Sequence, residues 1–404
     1  MDYKCHYPSI DQSDLNAVQA AVLAGWFTSG RLCDEFERAI SQYLGVKHSL
    51  FTTSGSSASL LAFHALTSRL HKDARILPGD EVITTALCFP TTIAPIVQYG
   101  AIPVFVDVDL QTANATINHI RDAISPKTKA VVLAHTLGNP FDGPAIRALC
   151  DELGLWLIED NCDALGSEID DRKTGSFGDL SITSFYPAHH ITTGEGGMVS
   201  TNNDQLASIV RSLRDWGRDC KCKGGEDGIC GHRFNHQHGT MPSDYDHKYI
   251  FSHLGFNLKN TELAAALGLN QLKRLPEFIE RRRSNWLKYQ ILHHKFPCQY
   301  YIDGANPSPF GYLLGCDGMR PKIIQALSSK GIQTRMLFAG NILRQPCFVN
   351  DKSIKYRISG SLENTDKLTD DYLWLGVAPT VSAEQIVETT NTLLCSWIDN
   401  KLLG

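Results

Sequence analysis

The sequence predicts an α/β protein: a mostly parallel, mixed sheet with helices on both faces, plus a smaller C-terminal α/β domain. Three observations carry this. Strand-like and helix-like segments alternate through the first two-thirds of the chain, which implies parallel strands joined by helical crossovers. The pattern changes at about Thr261, where a long amphipathic helical stretch begins and the later elements become more closely spaced. The 404 residues, 43% of them hydrophobic, suffice for a packed core with an appended second unit. The expected division is a large domain over 1–270 and a small domain over 271–404.

In chain order, Ser49–Ser54 reads as a strand end and Ser57–Leu66 as the helix after it. Glu81–Thr85 is a buried-strand run, followed by a helix over Thr91–Tyr99. Ile102–Val108, Ala130–His135 and Leu155–Glu159 are further apolar, β-branched strands. An amphipathic helix over Pro144–Leu153 lies between the last two, and Gly154 closes it. The long helical region runs from an N-cap at Asn260 or Thr261 to about Phe296. Pro321–Lys330 and Ser382–Ile398 are helices of the small domain. Lys221–Tyr245 fits none of these patterns. It is rich in Gly, Cys, His and Asp, and so long a stretch without apolar periodicity is usually functional.

Composition narrows the function classes. Lys and Arg total 38 against 43 Asp and Glu, a net charge of -5, with no long block of one sign. That argues against a nucleic-acid groove or a polybasic membrane face. No apolar run reaches the roughly 18 residues of a membrane-spanning helix. Met1–Cys5 has no apolar stretch of the signal-peptide kind, so the expected compartment is the cytoplasm. Twelve cysteines there should be mostly reduced thiols, and a cluster of them would point to a metal before a disulfide.

Three motifs suggest a pocket. Thr53-Ser54-Gly55-Ser56-Ser57 falls at a strand-to-helix junction, where small residues free backbone N–H groups for a phosphate. The same residues also suit an ordinary N-capped helix. Leu157-Ile158-Glu159-Asp160 puts a carboxylate at the carboxyl end of a parallel strand, where α/β sheets bind ligands. The third is Thr183-Ser184-Phe185-Tyr186-Pro187-Ala188-His189-His190, followed by Gly194-Glu195-Gly196-Gly197. Together they resemble the DegT/DnrJ/EryC1/StrS sugar aminotransferases, a branch of the fold-type I, aspartate aminotransferase-like pyridoxal-phosphate (PLP) enzymes. The resemblance covers nearly the whole chain, through Gly138-Asn139-Pro140, Gly255-Phe256-Asn257 and Gly331-Ile332-Gln333-Thr334-Arg335.

The resemblance implies a set of roles in the large, cofactor-binding domain. Asp160 would pair with the pyridinium nitrogen and keep the ring an electron sink. Gly55, Ser56 and Ser184 would hold the phosphate. Phe89 would stack on the ring face, or else be plain core. Asp163 stands where the family usually has Gln, near the cofactor's 3-hydroxyl. Asn257 would reach the phosphate of a neighbouring subunit, which implies a homodimer.

An aminotransferase of this family has Lys five residues after the serine matched by Ser184; this chain has His189. An imidazole exchanges protons near neutral pH but cannot form an imine. The substitution keeps the base and removes the covalent anchor. The pattern is similar to the sugar 3-dehydratases of the family, which act on nucleotide-linked 4-keto-6-deoxyhexoses. It implies pyridoxamine phosphate (PMP) bound without a covalent link, His189 as the base, and expulsion of a hydroxyl in place of amino transfer. His190 is given no catalytic role. A plain aminotransferase is disfavoured by His189, and a non-catalytic binding or redox-sensing protein by the retained Asp160 and Ser184.

Cys220-Lys221-Cys222 and Cys230 flank a glycine-rich gap, and in extended backbone Cys220 and Cys222 project to one side. With Cys162 the spacing C-x57-C-x1-C-x7-C resembles the iron–sulfur branch of these dehydratases. Arg214–Cys220 and Ala134–Asp142 resemble the same branch. That resemblance implies a [2Fe-2S] cluster on Cys162, Cys220, Cys222 and Cys230, delivering single electrons from a separate NADH-dependent flavin and iron–sulfur reductase. The product would be a 3,6-dideoxy-4-ketohexose nucleotide. Tetrahedral zinc is the competing occupant of four thiols. Without a working cluster, the enzyme would release ammonia and need an amino donor to restore PMP. Arg335 and Arg344 are the candidates for the substrate's diphosphate. Arg281-Arg282-Arg283 reads as a solvated helix face. His232, His236, His238, His247 and His253 show no ligand spacing and read as loop polar residues or substrate contacts.

Overall fold

The computed structural model describes residues 4–5, 7–222, 226–229, 231 and 233–402, the side chains of 399–402 excepted. Its centre is an eight-stranded sheet. In spatial order the strands are His48–Thr52, Gly197–Thr201, Leu180–Ser184, Trp156–Asp160, Thr128–Ala134, Glu81–Thr85, Ile102–Val106 and Arg357–Ile358. Gly197–Thr201 runs antiparallel to both of its neighbours; every other pairing is parallel.

Alternation along the strands creates two cores. Val82, Phe105, Ala130, Val132 and Ile158 pack on one face with the helices Gly55–Leu66, Pro90–Tyr99 and Asp204–Arg214. Ile83, Val104, Val106, Val131 and Leu157 pack on the other with Ile117–Ala123 and Gly143–Leu153. The last helix starts where the Asp142 carboxylate accepts from Ala145 N–H at 3.0 Å, and it stops at Gly154, whose φ of 65° favours glycine.

The long helix is Glu262–Tyr289, with Thr261 as its N-cap, and it ends short of the expected Phe296 in a 3-10 turn. It runs straight through position 270, the expected domain boundary. Its far end joins the antiparallel pair Gly311–Gly315 and Tyr372–Gly376 and the helices Arg320–Ser329 and Ala383–Leu402 around a separate core that includes Trp286, Tyr312, Leu314, Ile323 and Leu375. Arg357–Ile358 returns from this C-terminal part to the edge of the large sheet. No described helix is long and apolar enough to cross a membrane.

The stretch from Gly217 to Gly255 begins and ends at one crossing, and its His253 ring bonds back to Ser68 and Ser212. Trp216 N–H donates to Phe256 C=O and Phe256 N–H to Leu213 C=O, both at 2.6 Å. A Cβ on Gly217 would sit 1.9 Å from the His253 carbonyl oxygen, so only glycine fits this crossing. The described residues of 221–245 form no helix or strand, as expected.

Candidate functional site

The carboxyl ends of the parallel strands converge on a cavity of about 490 Å³. Gly55, Ser56, Phe89, Asp160, Cys162, Asp163, Ser184, His189 and Arg335 all line it, and Phe310, Phe338 and Trp374 from the C-terminal part close its outer wall.

Gly55 opens its helix after Ser54, whose hydroxyl accepts from Ser57 N–H at 3.0 Å. A Cβ on Gly55 would lie 2.6 Å from the Ser184 Cβ. The bare backbone therefore lets a helix N-terminus and the Ser184 hydroxyl share one corner, a cradle that suits an anion. Phe89 is 52% exposed at the head of the helix Pro90–Tyr99, so it is not core; it offers an aromatic face to the cavity.

The Asp160 carboxylate ends its strand, buried, taking the Thr92 hydroxyl at 2.7 Å and the Cys162 N–H at 3.2 Å. Asp163 lies nearby. Burial, then the Asp160 charge, push its carboxyl up to about 8 against the opposing pull of the Leu137 N–H and Arg282. His189 Nδ1 is 3.6 Å from Asp163 Oδ1. Its backbone N–H donates to Tyr186 C=O at 2.9 Å, and its ring packs on Phe310 at 5.2 Å between centroids. His190 turns away, buried, with Nε2 at 2.9 Å from the Ser308 carbonyl; burial holds its pKa well below the ordinary value.

Two features went unread in the sequence. Arg282 is not a solvated residue: it is buried, and its guanidinium donates to the carbonyls of Pro309, Phe310 and His189. It thereby supports the backbone that carries His189. His135 is buried under the cavity, stacked on Phe141 at 4.1 Å. Phe141 N–H donates to its Nδ1, so Nε2 bears the proton and donates to Glu159 at 3.0 Å. Glu159, fully buried, also accepts from Gly175 and Gly178 N–H. The only sequence signal was the Ala134–Asp142 stretch.

Other expected residues are not gathered here. Asn257 is exposed outside the cavity, accepting from the Lys259 ammonium at 2.8 Å. Arg344 is not a cavity residue either; Asp366 and Asp370 hold it at 3.0 and 2.8 Å. Cys220 and Cys222 are buried side by side, with Cys222 N–H 3.4 Å from Cys220 Sγ. They line a second cavity of about 730 Å³, whereas Cys162 lines the first. Burial and Asp160 push the Cys162 thiol far up, so it is protonated when no metal is bound. Cys230 lies outside the described residues.

The DegT/DnrJ/EryC1/StrS aminotransferase family model matches residues 8–393. The lipopolysaccharide biosynthesis protein RfbH of Salmonella typhimurium is 46% identical over 389 residues, 93% of this chain and 87% of that protein. A dTDP-4-dehydro-2,6-dideoxy-D-glucose 3-dehydratase of Saccharopolyspora spinosa is also 46% identical, over 93% of this chain and 82% of its own. The structure of the E. coli GDP-4-keto-6-deoxy-D-mannose-3-dehydratase with bound hydrated PLP superimposes with a TM-score of 0.87 at 26% identity, over 97% of this chain and 99% of that one. The chain belongs to the DegT/DnrJ/EryC1/StrS aminotransferase family and has its fold-type I, PLP-enzyme architecture.

Proposed function

We propose that this enzyme is a PMP-dependent 3-dehydratase that removes the C-3 hydroxyl of a nucleotide-linked 4-keto-6-deoxyhexose, on the way to a 3,6-dideoxysugar. The observation that carries the reading is His189, an imidazole against Asp163 in the cavity where the family's lysine amine would stand. The names of the 3-dehydratase relatives and of RfbH support it. When bound, PMP supplies an amine for the keto carbon and an electron sink conjugated to it.

The chain's residues do the rest. Asp160 would face the ring nitrogen, its carboxylate aimed by the Thr92 hydroxyl and the Cys162 N–H. Gly55, Ser56 and Ser184 take the phosphate, and Phe89 covers a ring face. His189 moves the proton at C4′, and Asp163 lies within reach of its far nitrogen. Arg335 stands at the rim, fixed by paired backbone bonds with Trp374 at 2.8 and 3.2 Å, to meet the diphosphate. Asn257, exposed and outside its own cavity, would serve the phosphate of a second copy in a homodimer. In this reading 1–270 bind the cofactor and 271–404 supply the outer wall, in a cytoplasmic protein.

Cys162, Cys220, Cys222 and Cys230 would hold the [2Fe-2S] cluster, which supplies single electrons drawn from a flavin and iron–sulfur reductase. The adjacent, buried Cys220 and Cys222 fit one side of such a centre. One observation favours a second reading, cluster-free dehydration with an amino donor and release of ammonia: Cys162 opens on the cofactor cavity, not on that of Cys220 and Cys222.

The test is anaerobic purification, followed by iron and acid-labile sulfide analysis. About two of each per chain, lost in Cys220→Ala, supports the cluster. No iron and sulfide, or zinc that is lost in Cys220→Ala, supports the cluster-free reading. Efficient amino transfer to the 4-keto sugar by the wild type would overturn both, and His189→Lys is the variant expected to gain it.

A further inference from the structure

We propose that Asp219, His238 and His247 form a divalent-cation site, of the zinc class, that ties down the excursion between Gly217 and Gly255. One ligand atom from each lies within 4.8 Å of the others. His247 is buried, with Nε2 at 2.8 Å from Asp219 Oδ2, and the His238 ring stacks on it at 4.6 Å and 17°. Two imidazoles and one carboxylate are a zinc donor set that leaves a fourth position for water.

The frame around the trio is built before any metal arrives. Asp219 sits at the neck, its N–H bonded to Ile250 C=O at 3.0 Å. His247 begins a short turn capped by Asp246, and its N–H donates to Arg233 C=O at 2.9 Å. Only His238 comes from the irregular arm. The cations beside the trio are already neutralised: Arg233 pairs with Asp246 at 2.7 Å and Asp227 at 3.3 Å, and Lys248 pairs with Asp227. A divalent ion therefore meets a carboxylate and two imidazoles in a charge-balanced setting. Among the described residues no thiol belongs to the set. Because Asp219 precedes Cys220, a cation here also fixes the backbone carrying the Cys220–Cys222 pair. The site stands or falls independently of the dehydratase reading.

The experiment uses the full chain, stripped with a chelator and titrated anaerobically with Co²⁺ in competition with Zn²⁺. The expected result is about one cobalt per chain whose ligand-field bands carry no intense sulfur-to-metal charge transfer, resolved from any cobalt taken by the thiols. It persists in Cys220→Ala and weakens more than about tenfold in His238→Ala and Asp219→Asn. Zinc should also slow amide exchange across residues 219–247 of the wild type, a readout that needs no substitution. Cobalt binding that vanishes in Cys220→Ala yet survives His238→Ala would assign the metal to the thiols and overturn the proposal. So would a folded protein that binds no cobalt and shows no zinc-dependent protection.

Discussion

Asp163→Asn tests whether two carboxyls in the cofactor cavity are prevented from ionising together. The Asp163 carboxyl is pushed from 3.8 to about 8, first by burial and then by the Asp160 charge. A folded-state pKa raised above the unfolded one means the native state binds the proton more tightly. Its contribution to stability is complete below about pH 4 and is lost as pH rises through about 8. The shift caps the effect at about 6 kcal/mol, at about 1.4 kcal/mol per unit. The side chain is 12% exposed, and water and relaxation reduce this to a few kcal/mol. Urea unfolding of the cofactor-free protein from pH 5 to 9 should show the asparagine variant pulling ahead of the wild type as pH rises to 8, then running parallel. A cofactor proton placed against Asp160 removes the repulsion, so loading should shrink the difference. A gap that stays constant with pH would mean Asp163 ionises normally, and the argument for a protonated acid beside His189 would fail.

Gly55→Ala puts a Cβ 2.6 Å from the Ser184 Cβ, so cofactor titration should show at least about tenfold weaker binding, with about 1–3 kcal/mol of lost stability. Phe89→Ala removes an exposed ring and should change unfolding free energy by less than about 0.5 kcal/mol. Its cofactor affinity should still fall by about two- to tenfold, as a lost stacking contact predicts. Arg282→Met strips two buried carbonyls and one part-buried carbonyl of their donor and Asp163 of a nearby cation; urea denaturation should register about 2–4 kcal/mol of destabilisation.

The parallel half of the sheet was legible because Glu81–Thr85, Ile102–Val106 and Trp156–Asp160 each carry an apolar or β-branched centre bounded by turns, as a strand buried on both faces needs. The strands Leu180–Ser184 and Gly197–Thr201 are rich in Ser, Thr and Gly, so their pairing shows only in the fold. Strand ends point ligands at one place, which is why Gly55, Asp160 and Ser184 were found together. Arg282 was misread because three consecutive arginines look like one charged patch. On a helix they project about 100° apart, and only the middle one is buried, while Arg283 is half-buried on the Pro307 carbonyl. His135 with Glu159, and Asp219 with His238 and His247, are assembled across long stretches of chain, which no local spacing reveals. Arg344 lies outside the cavity, paired with Asp366 and Asp370, and sequence does not show that an arginine is spoken for.

The crossing at Gly217 and Gly255 makes the described residues between them a bead hung from a closed neck. Because the two ends already touch, lengthening or shortening the bead changes closure entropy only logarithmically. The sheet behind it feels almost none of that change. Such a segment can change in length and composition while the strand ends and their cavity keep their places. The crossing itself is the part that cannot vary, since any side chain at Gly217 would have to occupy the place of the His253 carbonyl.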